Sequence, residues 1–243
     1  MGTEEKTQQG VVVVDNQDYI FTARHSRRAR RITVRLRVWE GLEVVLPWRT
    51  RLADALVFLR RTAPWWIPKL TQYKEKQKSV VRCRLESGET ILCLQKPYEL
   101  DIDIDSLRSR SRVREDGSVL RIAAQDHQGV AEALQRWYRK QARYYFEEVA
   151  RYYAAEIGES VGMISVGNQR SQWGSCTPRR CLCFNWRLML STEPIARYVA
   201  IHEVAHLRHR NHGADFWRLV AQLDPLYKEH RRWLRTNAHH LVL

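Results

Sequence analysis

Four histidines lie within eleven residues near the carboxyl end of the chain, in the segment IHEVAHLRHRNHGADFW at 201–217. They are His202, His206, His209 and His212, and Glu203 directly follows the first of them. Residues four apart on an α-helix lie one turn apart on nearly the same face. His202 and His206 can therefore offer two imidazoles to one zinc ion, at Zn–N distances of roughly 2.0–2.1 Å. The spacing predicts a metal site on a helix.

Glu203 is predicted to be the general base of this site. It lies about 100° round the helix from His202, so it cannot easily share the same bonds to the metal. It can reach a water molecule whose pKa the metal lowers toward roughly 7. Glu203 would accept the proton of that water and pass it to the leaving amine, as in zinc peptidases with a His-Glu-x-x-His motif. The preceding Ser191-Thr192-Glu193-Pro194 is typical of a helix start.

His212 is the predicted third ligand. His209 lies seven residues past His202, about 10.5 Å along a continuing helix, which is too far for an ion held by the other two. Arg210-Asn211-His212-Gly213 is typical of a helix end, and Asn211 in a left-handed conformation could turn His212 back over the metal. The spacing HExxH-x5-H equals that of three-histidine zinc proteins. The rival ligands are acidic: Glu229 first, then Asp224 and Asp215, and Asp215 is interpreted as a helix cap.

Composition and charge limit the class of protein. The chain has 243 residues, is 44% hydrophobic and contains nine Trp and ten Tyr, which indicates a folded core. Lys plus Arg number 41 against 27 Asp plus Glu, a net charge of +14. That balance favours nucleic acid, acidic proteins or anionic surfaces as partners, or else is a solvated arginine-rich surface. No signal peptide, membrane span or disulfide framework is recognisable, so we expect a soluble, cytoplasmic protein.

The histidine helix is expected to follow a β-rich amino-terminal part. Residues 11–47 are predicted to be β, since Arg31 to Val38 alternate polar and apolar side chains. A helix capped by Thr50 is expected to end at Pro64, after which a helical pattern resumes. Residues 80–125 are predicted to be β again, with turns at Ser87-Gly88 and Asp116-Gly117. No internal repeat is visible.

A different pattern begins at about residue 128. An aromatic stripe at helical spacing runs to Gly158 and predicts a long helix with one core face. Short strands are expected through 161–190, and a last helical stretch from Asp215 to Arg235 is interrupted near Pro225. The sequence thus predicts two domains, residues 1–126 and 127–243.

The segment before the histidine helix offers a substrate-binding edge. A strand over Leu182–Leu190 at a sheet edge could bind an extended peptide by strand addition. Cys176, Cys181 and Cys183 do not have a zinc-binding spacing and are interpreted as small, buried thiols.

Several motifs together resemble the YgjP-like metallopeptidase family, which is related to SprT-like zinc proteases. They are WGSC at 173–176, NWRL at 185–188, HEVAHL at 202–207 and NHGADFW at 211–217. The resemblance extends to HSRRARRITVRLR at 25–37 and APWWIPKL at 63–70. It implies an α+β fold, in which a β-rich amino-terminal part packs on a zincin-like helical catalytic part with a short sheet and the HExxH helix. It also implies one zinc ion per chain, held by His202, His206 and His212, with Glu203 as general base.

The predicted function is zinc-dependent hydrolysis of peptide bonds in a protein or peptide substrate. Trp173, Asn185 and Arg187 are candidate substrate contacts. The oxyanion stabiliser is left open among His209, Arg170, Asn185 and Arg187. Two alternatives remain: a zinc hydrolase of non-peptide amides, and a basic nucleic-acid-binding protein whose zinc site is structural or degenerate. No membrane partner is predicted.

Overall fold

A computed structural model describes residues 7–37, 41–78, 83–169 and 172–243. The chain divides into two compact units, Met1–Val81 and Arg82–Leu243. The sequence predicts a boundary at 126/127 instead. The difference arises because buried residues of the strands at 90–124 share one hydrophobic core with the long helix that follows them. These strands therefore belong with the histidine helix.

The first unit is a four-stranded sheet followed by one helix. Its strands are β1 (Thr7–Val14), β2 (Gln17–Ser26), β3 (Thr33–Arg37) and β4 (Gly41–Pro47), in the sheet order β1-β2-β4-β3. Alternate residues of β2 and β4, such as Phe21 and Val44, are buried with Leu59 and Trp66 of the helix α1 (Leu52–Lys78). The predicted strand over 31–38 is confirmed for Thr33–Arg37, whereas residues 31 and 32 precede the strand and residues 38–40 lie outside the described part of the chain.

Helix α1 continues through Pro64 and Pro68, so the predicted break at Pro64 is wrong. Proline removes one backbone hydrogen bond of the ladder, but the buried stripe of the helix continues across it on both sides. The stripe consists of Ala55, Leu59, Ala63, Trp66 and Leu70. The Trp66 indole N–H also donates to the carbonyl oxygen of Leu59 at 2.9 Å, which bridges the proline-containing turn.

The second unit begins with the same arrangement as the first. Strands β5 (Thr90–Cys93), β6 (Lys96–Ile104), β7 (Arg112–Asp116) and β8 (Val119–Ala124) form a sheet in the order β5-β6-β8-β7, followed by the helix α2 (His127–Glu156). In both units two hairpins join through a parallel pair at the centre, β2 with β4 and β6 with β8. The fold therefore contains a structural repeat that is not visible in the sequence.

Helix α2 confirms the predicted aromatic helix. Asp126 caps it, because its side chain accepts a hydrogen bond from the Gly129 N–H at 2.7 Å. Gly158 follows its end with a φ of 66°, a left-handed conformation that favours glycine. Trp137 and Tyr138 are buried as predicted, whereas Tyr152 is exposed.

A three-stranded sheet and three helices complete the second unit. Strands β9 (Ile164–Gly167), β10 (Gly174–Cys176) and β11 (Leu182–Asn185) lie in the order β10-β11-β9. The helices are α3 (Glu193–Ala205), α4 (Ala214–Leu223) and α5 (Tyr227–Asn237), so the predicted interruption near Pro225 is confirmed. No helix in the described ranges combines the length and apolar character that crossing a membrane would require.

The predicted edge strand over Leu182–Leu190 is wrong in two respects. Only Leu182–Asn185 is a strand, and Trp186–Leu190 forms a 3-10 helix that buries Trp186, Leu188 and Met189. That strand is also central, because it pairs with β9 on one side and β10 on the other. The edge near the histidine helix is therefore β10.

Candidate functional site

Helix α3 presents two of the four histidines. It begins after Thr192, with Pro194 in its first turn as predicted, and its buried side includes Ile195, Val199 and Val204. The helix ends at Ala205, and His206 is its C-cap. The predicted helix end at Arg210-Asn211 is thus too late. The left-handed turn at Asn211 is also wrong, because the positive φ angles of the described residues lie elsewhere.

The chain turns back after this earlier helix end, and His212 comes to lie beside His202 and His206. His202, His206 and His212 each offer one nitrogen, and these nitrogens all lie within 4.8 Å of one another. The Nε2 atoms of His202 and His212 are 3.0 Å apart. Three imidazoles from the helix and the following turn therefore converge on one point. The group that could hold a metal contains neither His209 nor an acidic residue.

His209 orients His206 through its backbone. The Nδ1 atom of His206 lies 3.0 Å from the carbonyl oxygen of His209. A carbonyl only accepts, so this Nδ1 carries the ring proton, and Nε2 is left with a free lone pair. His209 is therefore not a fourth ligand, and its backbone carbonyl instead fixes the tautomer of His206.

Aromatic rings enclose the three histidines. Phe216 contacts all of them, with ring centroids 5.0 Å from His202, 4.6 Å from His206 and 4.7 Å from His212. Trp217 stacks on His212 at 5.6 Å, and the Arg231 guanidinium lies 4.7 Å over the Trp217 ring. Phe216 and Trp217 were not predicted to belong to the site, although their position just after His212 on an amphipathic helix was a usable signal.

Burial keeps the imidazoles of His202 and His206 neutral, because it lowers the pKa of both. It is the main cause that lowers the pKa of His202 to about 3, and His206, His212 and Arg231 add to the effect. Burial also lowers the pKa of His206, with a smaller contribution from His212. A neutral imidazole is the form that binds a metal ion.

Glu203 is buried next to the triad and is held by a glycine. Burial raises the pKa of its carboxyl group to about 8. Its side chain packs directly on Gly174 of β10. A Cβ atom at Gly174 would lie 2.6 Å from Cγ, 2.7 Å from Oε1 and 2.8 Å from Cδ of Glu203. Only glycine fits here without displacing the carboxylate, which explains the glycine of WGSC.

The structure gives Asn185 and Arg187 other contacts. Asn185 is 2% exposed; its Nδ2 donates to the Gln169 carbonyl at 2.7 Å and its Oδ1 accepts from the Arg187 N–H at 3.1 Å. Both ends of this buried amide are therefore bonded within the protein. The Arg187 side chain contacts Asn168 and the Trp186 ring. Trp173 is partly buried directly before β10, and Arg170 lies outside the described residues.

The acidic alternatives to His212 are also accounted for. Asp224 is buried and bonded, with Oδ2 at 2.8 Å from His230 Nδ1 and Oδ1 accepting from the Leu226 N–H at 3.2 Å. Asp215 is exposed in the first turn of α4 and pairs with Arg218. It follows the N-cap residue Gly213, so it is not the cap itself. Glu229 is exposed in the first turn of α5.

Comparison with known proteins finds a family model and a similar solved structure. The crystal structure of the metallopeptidase zymogen of Pyrococcus abyssi abylysin is similar over 37% of this chain and 93% of that chain, at 19% identity and a TM-score of 0.35. No curated protein matches. The family model described as "YgjP-like, metallopeptidase domain" matches residues 30–237. The chain therefore belongs to the YgjP-like metallopeptidase family.

Proposed function

We propose that this protein is a zinc-dependent peptidase whose metal ligands are His202, His206 and His212 and whose general base is Glu203. The observation that carries the proposal is the convergence of three imidazole nitrogens within 4.8 Å, beside a buried carboxylate. The family supports a peptidase.

The three histidines suit zinc in number and in chemistry. Three protein ligands with one open position is the arrangement of catalytic zinc sites, and imidazole is a preferred zinc ligand. The lowered pKa values keep His202 and His206 in the deprotonated form near neutral pH. The His209 carbonyl polarises His206 through Nδ1, which strengthens Nε2 as a donor. A zinc ion held there supplies Lewis acidity that activates water and polarises a carbonyl group.

Glu203 moves the proton. Its carboxylate takes a proton from the attacking water and delivers it to the nitrogen of the leaving amine. A buried glutamate is a stronger base than an exposed one, because burial disfavours its charged form. A zinc ion held by the three histidines would lower the pKa of Glu203 again. It would thereby favour the carboxylate form, which is the form that can accept the proton of the water. Gly174 keeps the carboxylate in place for both transfers.

Strand β10 is the proposed binding edge for the substrate. Asn185 N–H donates to the Trp173 carbonyl at 2.8 Å, and Thr177 N–H donates to the Cys181 carbonyl at 2.9 Å. Because bonded pairs alternate along an antiparallel ladder, the backbone groups of Gly174 and Cys176 point away from β11. No strand of the described chain pairs with that side of β10. An extended peptide can therefore add there, as in strand addition.

Metal content and hydrolysis across matched variants test the ligand set. The protein should bind about one zinc per chain. His212→Ala should lose the metal, whereas His209→Ala should keep it, because its backbone carbonyl is unchanged. Glu203→Gln should keep zinc and lose hydrolysis of casein. Zinc loss from His209→Ala with retention in His212→Ala would refute the third ligand, and an active Glu203→Gln enzyme would refute the base.

The choice of substrate class is tested in the same assay. Hydrolysis of casein and of extended peptides is expected, since β10 offers main-chain bonds that a small amide cannot use. Preferential hydrolysis of small non-peptide amides would favour the alternative of an amide hydrolase and contradict the role of β10.

A further inference from the structure

The first unit carries a basic surface of its own. Residues 24–37 contain seven arginines and no acidic residue. Arg24 pairs with Glu43 at 3.1 Å. By contrast, the exposed side chains of this segment have no carboxylate within 4.0 Å among the described residues; they are Arg27, Arg28, Arg30, Arg31 and Arg35. Salt bridges among the described residues therefore do not neutralise these five side chains.

Two exposed tryptophans stand beside these cations. Trp48 is 41% exposed, and the Arg27 guanidinium lies 4.7 Å over its ring. Trp65 is 49% exposed, and Lys69 Nζ lies 4.2 Å over its ring. A cation over one face of each indole holds the ring in position. Large exposed aromatic rings are costly to leave in water, so a pair of them beside unpaired arginines indicates a binding surface.

A groove joins the arginines to Trp65. It has a volume of about 780 Å³, and it lies between the start of β3 and the middle of α1. Its apolar walls are Ile32, Val34, Phe58, Pro64 and Trp65, and its cations are Arg31 and Arg61. Thr33 at the start of β3 lines this groove and pairs with Val45 of β4, and Trp48 directly follows the last residue of β4, Pro47. Trp48 and the groove that Trp65 lines therefore lie at the same end of this sheet.

The structural repeat shows that the fold does not require such a groove. At the corresponding place in the second unit, a cavity of about 530 Å³ lies between the start of β7 and the first turns of α2. Its lining is polar and includes both Asp126 and Glu132 beside Arg110 and Arg136. The corresponding cavity of the second unit is therefore neither apolar nor lined by basic residues alone.

We propose that this surface of the first unit binds single-stranded nucleic acid. Stacking of bases on aromatic rings, along a basic groove that follows the phosphates, is how proteins bind single strands without sequence preference. Here Trp48 and Trp65 are the stacking rings, and Arg27, Arg31 and Arg61 are the phosphate contacts. Arginine predominates over lysine, which fits phosphate oxygens because a guanidinium donates two parallel hydrogen bonds. A concave groove suits an unstacked base better than a flat membrane surface.

Fluorescence anisotropy of the full chain with a labelled oligothymidylate about ten nucleotides long tests the proposal at several salt concentrations. Each tryptophan replaced by leucine should weaken binding about 5- to 150-fold, the range for loss of one stacked base. Trp65→Tyr keeps an aromatic ring and should retain most of the affinity. The triple variant R27A/R31A/R61A should reduce the slope of log K against log salt by about 2, at about 0.7 for each phosphate contact.

Helix α2 supplies matched controls in the second unit. Tyr144 is 62% exposed, with Lys140 Nζ 5.7 Å over its ring, so Tyr144→Leu removes a comparable aromatic–cation pair. The triple variant R139A/K140A/R143A removes the same charge from an exposed helix face. Both controls should bind the oligonucleotide like the unaltered protein, and thermal melting should show all variants to be folded.

Three results would overturn the proposal. One is equal loss in the α2 triple variant, which would mean that overall charge alone attracts the strand. Another is unchanged affinity in both tryptophan-to-leucine variants, which would remove the stacking rings from the interaction. The third is tight binding to phosphatidylserine vesicles that needs both tryptophans, together with no binding of the oligonucleotide. That result would assign the surface to a membrane instead.

Discussion

Gly174→Ala is the sharpest test of how the base is held. Gly174 does not need a left-handed backbone, so the effect of an added methyl group is steric alone. Its Cβ would lie 2.6–2.8 Å from three atoms of Glu203, whereas ordinary contact begins at 3.4 Å. The carboxylate side chain must therefore withdraw by about 0.8 Å, or β10 must move. Overpacking of this kind costs about 1–3 kcal/mol of unfolding free energy.

The expected result is a much slower enzyme that keeps its metal. Misplacement of a catalytic group by about 1 Å costs about 100-fold in rate, so kcat/KM on casein should fall by about that factor. The three atoms nearest to the added Cβ all belong to Glu203 and none to a histidine, so zinc content should stay near one per chain. Measuring zinc, melting temperature and casein hydrolysis on one preparation separates loss of the base from loss of the fold.

Gly213→Ala is the matched control. It adds the same methyl group next to His212, but nothing lies within 4 Å of the new Cβ atom. As the N-cap of α4, Gly213 is better there than alanine, so a stability cost of up to about 1 kcal/mol is expected. Hydrolysis should be retained. Full activity in a zinc-loaded Gly174→Ala protein would refute the inference that this contact positions the base.

Three further outcomes follow from the packing of the second unit. Phe184→Ala should cost about 3–5 kcal/mol in urea unfolding, because its ring is fully buried and stacked 4.2 Å from Phe146, while Tyr152→Ala, on an exposed ring, should change stability by less than about 0.5 kcal/mol. Asp224→Asn should cost about 1.5–3 kcal/mol of unfolding free energy by the same measurement, because it weakens a buried hydrogen bond to His230. The exposed Asp215→Asn should be nearly neutral. Equal effects of the two substitutions would contradict the argument from burial. A chelator should lower the melting temperature of the zinc-loaded protein, because it removes the stabilisation by the bound ion, about 4 kcal/mol where free zinc is a thousand times its Kd. The chelator should not change the melting temperature of His212→Ala.

Features that depend on local spacing could be predicted from the sequence. His202 and His206 share a helix face because helical periodicity alone puts them there. The start of α3 around Pro194 and the end of α2 near Gly158 follow from local preferences of a few residues. These elements agree with the structure because no distant contact was needed to place them.

His212 could be inferred, but the path of the chain to it could not. The motif length predicted that His212 meets the other two histidines, and the structure brings it there. The turn is different, because α3 ends at Ala205 and not at Arg210. The rings that pack behind the turn, Phe216 above all, come from the next helix. Tertiary packing of this kind decides where a helix ends, and single-residue preferences do not contain it.

The structural repeat and the contact at Gly174 could not be predicted from the sequence, because both depend on how the strands assemble into sheets. A sheet needs only alternating apolar residues, so two units can share strand order, pairing and a following helix without similar sequences. In the same way, the contact between Gly174 and Glu203 joins two segments that are distant in the chain. It exists because the register of β10 on β11 sets Gly174 opposite Phe184. Register is a property of the assembled sheet. The motif alone therefore does not identify the side chain that packs on its glycine.

The position of β10 links substrate binding to catalysis in the proposed enzyme. Gly174 turns its backbone N–H and carbonyl toward the free edge of the sheet, while its Cα packs on Glu203. A peptide that pairs with this edge is therefore aligned by the same residue that positions the base. Main-chain pairing tolerates many side chains, so sequence preference along the peptide should be loose. The place of cleavage, by contrast, depends on the distance from Gly174 to the triad. Any shift of β10 must therefore change the alignment of the peptide and the position of Glu203 together.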